Sequence, residues 1–506
     1  MITGTHDSLT APEVYSHLQY SDFSFWERIR WQRSLALFQR ASTCVPAYMD
    51  FLRTQGFDAQ SVSSGRDYKN IPMINKENYL RAYPLEELCW DGTLKKPLVF
   101  TSTSGSTGKP FYFPRHEKLD WEYSLIVESF LKNQINAGKS STLVIIGFGM
   151  GVWIGGLITY QAFQLAAQRL GYPVSIITPG VNKDQIFSVF RDLSPNFENT
   201  ILIGYPPFIK DVIDEAPDHN IHLDKLGLRL FFAAESFTDG FRQYLGQRSS
   251  VRSRYLDTLN VYGSADIGAM AWETPVSIFV REFLDERPEL FQDIFGSIIK
   301  TPTLAQFNPF FINFESINGE LILTGNNAIP LIRYSIGDQG GVFTYEKLAK
   351  KFLDHGFNLG REIDNVGISK STVFQIPFVY VYERSDFSIS FYGIQIYPEY
   401  VKEVLIQDDF NPYFTSKFSM LTKYDEKQDQ YFEINVELKP HQIADDQLKD
   451  RFSDAIVKNL CRRSSEYTEL SRFIRGRAVP EIVFWPYEHE TYFKKGIKQR
   501  WVYKSS

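Results

Sequence analysis

Cysteine is scarce in this chain of 506 residues, which contains only Cys44, Cys89 and Cys461. The three residues lie far apart and form no CxxC pair, which excludes a cysteine-based zinc site and a disulfide framework. Scattered cysteines of this kind are typical of a reducing compartment, and we expect a cytoplasmic protein. The first residues, MITGTHDSLTAPEVY, contain no basic segment followed by an apolar stretch, so they predict no secretory signal.

The chain also lacks a block of basic residues. Lys and Arg number 54 against 60 Asp and Glu, which gives a formal net charge of -6. Proteins that bind nucleic acid usually present a basic face, so nucleic acid is not expected as a partner. An uncharged stretch at residues 140–168 is interrupted by five glycines between 147 and 156. It predicts a buried strand, loop and helix rather than a membrane span.

Strand-like apolar runs alternate with helical patterns along most of the chain, which is too long for a single core. Residues 20–55 have the apolar spacing of an amphipathic helix, and the pattern after residues 318–325 becomes richer in strands. The alternation predicts an α/β fold with βαβ units and parallel strands. The runs that indicate strands are 98–101, 141–147, 173–178, 200–207, 228–235 and 258–266.

The last 120 or so residues show a different pattern. Residues 388–398 predict one strand that leads into a helix at 398–407, and residues 432–440 alternate as a strand. Residues 445–460 carry apolar side chains at a four-residue period, which predicts a helix. We therefore expect two domains: a large N-terminal α/β domain, 1–384, and a small mobile α+β domain, 385–506.

Two glycine-rich segments are candidate phosphate sites. GFGMGVWIGG (147–156) follows a strand, but its glycines have GxGxG spacing and not the GxGxxG spacing of a dinucleotide-binding loop. The next strand also ends without an acidic residue that could bind a ribose. Close backbone packing around a substrate pocket is favoured there. TSTSGSTGKP (101–110) has Pro110 where a Walker A loop needs Ser or Thr, so it is not a kinase-type loop. Its hydroxyls, amides and Lys109 favour a phosphate cradle over a solvated linker.

The second segment resembles the signature loop of the adenylate-forming enzymes, which include acyl-CoA synthetases, adenylation domains and luciferases. Further segments resemble that family's signatures in the same order along the chain. They are VYGSADIG (261–268), IPLIRYSIGDQG (329–340), ERSDFSISFYGIQIYPEYV (383–401) and KKGIKQRWV (494–502). Together with RAYPLEEL (81–88), the forms that these motifs take here look most similar to those of the phenylacetate–coenzyme A ligase branch.

The chain departs from the family pattern at three places. Ala265 stands where the family usually has a hydroxyl residue, and Asp266 replaces the usual Glu with a side chain one methylene shorter. The terminal segment offers Lys494, Lys495 and Lys498 for one catalytic lysine, and Lys498 is preferred because Arg500 and Val502 then align.

The resemblance implies a role for each matching residue. Asp266 would bind Mg²⁺, Asp338 the ribose hydroxyls, and Lys498 the α-phosphate and carboxylate oxygens as the catalytic lysine, while Asp386 would be the hinge. ATP or AMP would contact Ser102, Thr103, Ser104, Gly105, Ser106, Thr107, Gly108, Lys109, Ala234, Glu235, Tyr262, Gly263, Ser264, Ala265, Asp338 and Arg384. The acyl pocket would be lined by Phe148, Trp153, Tyr205, Ala233 and Gly263.

The resemblance implies an enzyme that uses ATP and Mg²⁺ to activate a carboxylic acid, aryl or otherwise apolar, as an acyl-adenylate. Coenzyme A is the default acceptor of the acyl group. An amine, a hydroxyl or the thiol of a separate carrier protein is an alternative, and so is a nucleotide-binding protein without ligase activity. A homodimer is compatible with the sequence.

Overall fold

The computed structural model describes residues 9–96, 98–102, 111–150, 154–296, 301–384, 388–489 and 492–493. The predicted α/β class is confirmed: helices surround one large sheet, and a smaller group of strands and helices follows it. Residues 9–384 are called the N-terminal region below, and residues 388–489 the C-terminal region. Within the described ranges no helix is both long and apolar enough to span a membrane.

The N-terminal region contains a sheet of eleven strands and a separate hairpin. The hairpin is β1 (Val99–Ser102) and β2 (Tyr112–Arg115). The sheet contains β3 (Thr142–Ile146), β4 (Val174–Ile177), β5 (Asn199–Gly204), β6 (Leu228–Ala233), β7 (Thr258–Ser264), β8 (Gly268–Trp272), β9 (Thr303–Gln306), β10 (Ile312–Ile317), β11 (Glu320–Gly325), β12 (Leu331–Phe343) and β13 (Phe378–Arg384).

The sheet has a parallel half and an antiparallel half, in the order β10-β11-β12-β13-β9-β8-β7-β6-β5-β3-β4. Strands β4, β3, β5, β6 and β7 pair in parallel, as the alternation of strand and helix predicts. Strands β3 and β5 are buried along their whole length because helices cover both faces. The predicted strand at 98–101 also forms, but it pairs only with β2 and does not join the large sheet.

Fourteen helices that the structure describes surround these strands. They are α1 (Ala11–Tyr20), α2 (Phe23–Cys44), α3 (Pro46–Thr54), α4 (Gly65–Tyr68), α5 (Leu85–Leu88), α6 (Glu117–Lys132), α7 (Ile154–Leu170), α8 (Lys183–Asp192), α9 (Pro206–Glu215), α10 (Asp239–Ser249), α11 (Pro275–Asp285), α12 (Pro288–Phe295), α13 (Tyr345–Asp354) and α14 (Leu359–Asn365).

The helix predicted at residues 20–55 is two helices. Asp22 caps the first by accepting a hydrogen bond from the Phe25 amide at 3.0 Å. Pro46 has no amide hydrogen and cannot continue that helix, but it suits the first position of the next one. The chain therefore breaks at Val45 and restarts as α3.

The C-terminal region is a compact α+β arrangement. A two-stranded hairpin precedes a three-stranded sheet with helices packed on it. Its elements are β14 (Ile389–Phe391), β15 (Ile394–Ile396), α15 (Pro398–Leu405), β16 (Phe414–Tyr424), β17 (Gln430–Leu438), α16 (Asp446–Arg463), α17 (Ser465–Ile474) and β18 (Glu481–Trp485).

The single strand predicted at residues 388–398 was wrong, because this segment is the hairpin of β14 and β15. The chain reverses at Tyr392 and Gly393, whose φ angles are 48° and 78°. Two consecutive left-handed residues make the tight turn that joins antiparallel strands. The apolar alternation changes phase at the turn, from Ile389 and Phe391 to Ile394 and Ile396, and Tyr392 of the turn is itself buried against the N-terminal region.

One hydrophobic core extends across both regions. Phe208 and Val212 of α9 belong to the same buried cluster as Tyr392, Ile394 and Phe432 of the C-terminal region. At the turn, Gly393 lies against the ring of Tyr205: a Cβ added to Gly393 would be 2.3 Å from the nearest ring carbon. This close approach fixes where the hairpin docks.

Replacing Gly393 with alanine should weaken this docking. Gly393→Ala puts a Cβ into the Tyr205 ring and into a left-handed conformation, so we expect a loss of about 3 kcal/mol. Gly356→Ala is the matched control, because Gly356 has a φ of 83° but open space around it. It should cost about 1 kcal/mol. Equal losses for the two variants in urea unfolding would contradict the importance of the Tyr205 contact.

Candidate functional site

A cavity of about 1100 Å³ lies at the carboxyl ends of the parallel strands. Strands β5, β6 and β7 contribute the residues at their ends, and the C-terminal region closes the cavity with its hairpin, the end of β16, the start of β17 and α17. Ligands commonly bind at this edge of a parallel sheet because loops from several strands converge there. The cavity is therefore the candidate functional site.

Twelve of the predicted site residues line this cavity, although they come from six separate parts of the chain. They are Ser102, Phe148, Tyr205, Ala233, Ala234, Glu235, Tyr262, Gly263, Ser264, Ala265, Asp266 and Asp338.

The remaining predicted site residues lie outside the described part of the chain. Arg384 ends β13, but its side chain is not among those described. The others are Thr103, Ser104, Gly105, Ser106, Thr107, Gly108, Lys109, Trp153, Asp386 and the three candidate lysines 494, 495 and 498.

The loop after β6 forms one wall of the cavity. Ala234 has a φ of 74°, a conformation that a side-chain-bearing residue rarely adopts and that turns the chain sharply. Opposite it, Gly263 packs so tightly that an added Cβ would be 2.7 Å from the Gly268 carbonyl oxygen. Both residues line the cavity, so backbone forms part of its wall at the ends of the paired strands β6 and β7.

Asp338 and Tyr262 form a polar pair on the cavity wall. The Tyr262 hydroxyl donates a hydrogen bond to Oδ2 of Asp338, whose side chain is buried. The other carboxylate oxygen of Asp338 is not part of this bond. Asp338 is also opposite Arg384 in the register of β12 and β13. A buried carboxylate held in this way is suited to accept hydrogen bonds from neighbouring hydroxyls of a sugar.

Asp266 is held by two residues from distant parts of the sequence. The Tyr334 hydroxyl donates to Oδ2 at 2.7 Å, and Nζ of Lys76 lies 3.4 Å from Oδ1. Asp266 is 3% exposed, so the ammonium of Lys76 compensates the buried charge. Lys76 also lines the cavity and was not predicted. It reaches the site because Ile74 pairs with Tyr334, a long-range bridge with no signal in the sequence.

The structure tests whether these residues fit a magnesium ion. The described residues contain no group of three or more His, Cys, Asp or Glu side chains that would enclose a metal. Mg²⁺ usually takes one or two carboxylates and completes its shell with phosphate oxygens and water. A lone Asp266 at the cavity fits that pattern, with Lys76 as a neighbouring cation.

Glu235 was expected to contact ATP or AMP, and the structure also places it at the junction of the two regions. Its carboxylate accepts hydrogen bonds from the Gly393 amide, from the Ser390 hydroxyl at 3.0 Å and from the Gln430 amide at 3.2 Å. Burial raises the pKa of Glu235 although all three bonds favour its charged form. The residue therefore ties β6 to the C-terminal region.

Aromatic rings line the part of the cavity that was predicted to hold an acyl group. Phe148 and Tyr205 meet edge to face, with their ring centroids 4.9 Å apart. Burial raises the pKa of Tyr205, and the carboxylates of Glu466, Glu235 and Glu469 raise it further. This end of the cavity is apolar on one side and acidic on the other.

The acidic side comes from α17 and was missed in the sequence. Glu466 and Glu469 both line the cavity, and burial alone raises the pKa of Glu466 to about 7. The sequence carries a weak signal for them. Glu466, Glu469 and Leu470 are three and four residues apart and so share a helix face, although charged residues on such a face usually contact solvent.

No family model and no curated protein matches the chain. Among solved structures, 2-hydroxyisobutyryl-CoA ligase with 2-HIB-AMP and CoA, in the thioesterification state, is similar at 14% identity and a TM-score of 0.61. That match covers 99% of this chain and 94% of the other. The same ligase in an open conformation covers 99% and 97%, and in its postadenylation state 99% and 95%, each at 14% identity and a TM-score of 0.51. The chain therefore shares the fold of this ligase.

The raised pKa of Glu466 predicts a pH-dependent stability. Because the folded protein binds this proton more tightly than the unfolded chain, its contribution is fully present below pH 4.5 and is lost as the pH rises through about 7. Glu466→Gln should therefore raise the free energy of unfolding by about 2 kcal/mol at pH 8.5 and change it little at pH 4.5. Glu399→Gln, an exposed glutamate of α15, is the control for unfolding measured at both pH values. A gain independent of pH would contradict the assignment.

Proposed function

We propose that this protein is an AMP-forming ligase that activates a carboxylic acid with ATP and then transfers the acyl group, by default to coenzyme A. One observation carries the proposal. Three separate segments of the chain resemble motifs of adenylate-forming enzymes. Their residues Ser102, 262–266 and Asp338 all line one cavity. A chance resemblance of short motifs would not gather them at one site.

The first step forms the acyl-adenylate. An oxygen of the substrate carboxylate attacks the α-phosphorus of ATP, a new P–O bond forms, and pyrophosphate leaves. The barrier lies mainly in the charge on the phosphate oxygens, so the site works by positioning and electrostatics. Lys76 and the proposed Lys109 and Lys498 supply cations, and Asp338 holds the ribose. Mg²⁺ bound at Asp266 would neutralise further phosphate charge.

The second step transfers the acyl group. The acceptor thiol attacks the acyl carbon, the C–S bond forms, and the bond to the phosphate oxygen of AMP breaks. Phe148 and Tyr205 would hold an aryl or other apolar acid at the same place in both steps. The proposed hinge at Asp386 would let the C-terminal region turn between the steps.

The orientation of the two regions agrees with the second step. The whole-chain similarity is higher to the ligase structure in the thioesterification state, at a TM-score of 0.61, than to its postadenylation state, at 0.51. We infer that the C-terminal region is docked here as it is for acyl transfer. Lys498 would then act in a different orientation, the one used for adenylation.

Acid-dependent exchange of pyrophosphate into ATP tests the proposed function. We expect exchange with at least one member of a panel of aryl and aliphatic carboxylic acids, because reversal of the first step labels ATP. Coenzyme A, amines and a carrier protein are then added separately, and the product identifies the acceptor. Binding of ATP without exchange for any acid would instead support a nucleotide-binding protein without ligase activity.

Substitution of the candidate lysines separates the two steps. Lys498→Ala should slow pyrophosphate exchange by 100-fold or more, because a cation at the α-phosphate is lost. It should leave the transfer of preformed acyl-adenylate within about twofold. Lys494→Ala and Lys495→Ala are the matched controls, and each should keep most of the exchange activity. A larger loss in either control would move the catalytic role to that lysine.

A further inference from the structure

The turn between β14 and β15 is held by two buried carboxylates of the N-terminal region. Asp211 on α9 accepts a hydrogen bond from the Tyr392 hydroxyl at 3.0 Å, and Glu235 after β6 accepts one from the Gly393 amide. Asp211 is 1% exposed and Glu235 is 8% exposed. Each of the two turn residues is thus bound by one buried carboxylate, and Gly393 lies against the ring of Tyr205.

Asp211 has a second partner in the C-terminal region. Nη1 of Arg477 forms an ion pair with Oδ1 of Asp211 and lies 3.4 Å from Oδ1 of Asp429. Asp429 in turn pairs with Lys210, the neighbour of Asp211 on α9, and Lys210 is also 1% exposed. The charges therefore alternate across the interface, and each buried charge has an opposite partner.

Every hydrogen bond that the structure gives these two carboxylates comes from the C-terminal region. Ser390 and Gln430 complete the set at Glu235, and Tyr392 and Arg477 complete it at Asp211. A carboxylate that stays buried without partners is unfavourable by several kcal/mol, so these groups disfavour any docked orientation that covers them without these donors. Burial raises the pKa of Asp211 to about 6 even with its partners in place, because the carboxylate has little contact with water.

The same contacts shape the cavity. Tyr392, Gly393 and Gln430 line it, as does Glu235. Asp211 does not line it and acts only through Tyr392 and Arg477. Its effect on any reaction in the cavity must therefore be indirect, through the position of the hairpin.

We propose that Asp211, through its bonds to Tyr392 and Arg477, is a positioning residue for acyl transfer: it holds the C-terminal region in the orientation that closes the cavity. This inference rests on the proposed two-step function. It predicts that weakening these bonds slows transfer and spares adenylation, because adenylation uses another orientation of the C-terminal region.

The test measures the two steps separately in the full-length chain. Adenylation is followed by pyrophosphate exchange, and transfer by a single turnover of the acyl-adenylate of the acid that is active in exchange. Asp211→Asn and Arg477→Met should each slow transfer by 10-fold or more and leave exchange within about twofold. The double variant should be little slower than either single variant, since both remove one interaction. Arg477→Lys, which keeps the charge, should retain more of the transfer rate than Arg477→Met.

Asp214→Asn is the matched control on the same helix. Asp214 accepts bonds from Lys210 and Tyr244, both in the N-terminal region, and Lys210 keeps its ion pair with Asp429 when Asp214 is replaced. The change should therefore leave transfer and exchange within about twofold of the unmodified protein. Should Asp211→Asn fail to fold, Arg477→Met and Arg477→Lys carry the test, because Arg477 is 34% exposed and Asp211 keeps its bond from Tyr392.

Hydrogen–deuterium exchange of the ligand-free protein gives a readout that does not depend on activity. Asp211→Asn and Arg477→Met should both raise deuterium uptake in residues 388–397, and Asp214→Asn should not. Equal slowing of both steps, or unchanged transfer with unchanged uptake, would overturn the inference. Absence of pyrophosphate exchange in the unmodified protein would instead refute the proposed function, and the uptake measurement would still decide whether Asp211 holds the hairpin.

Discussion

The close contact between Gly393 and the ring of Tyr205 is the constraint on which the functional site depends. Tyr205 follows β5 in the N-terminal region, and Gly393 is at the tip of the hairpin in the C-terminal region. Only a glycine at this turn lets the hairpin approach so closely that Tyr392 reaches Asp211 and the Gly393 amide reaches Glu235. The cavity, the shared hydrophobic core and the buried ion pairs all depend on this docked position.

The energetic balance at this interface is two-sided. Apolar side chains of α9 and of the hairpin are buried together, which favours docking in any orientation that covers them. The buried charges are more demanding, because breaking a buried ion pair costs about 3–5 kcal/mol whereas forming it gains little over an apolar contact. The apolar contacts therefore supply affinity between the regions, and the charges select one orientation among several.

Much of the fold was predictable because its parallel half follows local rules. The runs at 141–147, 173–178, 200–207 and 228–235 correspond to β3 to β6, with ends that differ by at most three residues, since short apolar runs closed by Gly or Pro leave few alternatives. The hairpin at 388–398 was not predictable in the same way. No Asn-Gly or Asp-Gly pair marks its turn, and Tyr392 at the turn is an aromatic residue that a tertiary contact buries, so the segment resembles one apolar strand.

The functional site also contains residues that the sequence predicts and residues that it does not. Asp266, Asp338 and the residues around Tyr262 could be expected at one site, because they stand in segments that resemble the motifs of adenylate-forming enzymes. Lys76, Asp211 and Glu466 could not, since each acquires its role from a partner or a cavity wall far away in the sequence. Sequence patterns show which residues a strand end presents, and only the folded chain shows what faces them.

The cavity has one wall in each region, and this shared enclosure has a thermodynamic consequence. A ligand that touches both Phe148 and the C-terminal wall binds more tightly when the regions are docked. By linkage, it must then stabilise the docked orientation by the same free energy. Substrate recognition and domain arrangement are in this sense a single equilibrium, so a change in the acid that fills the cavity also changes how firmly the two halves of the molecule hold each other.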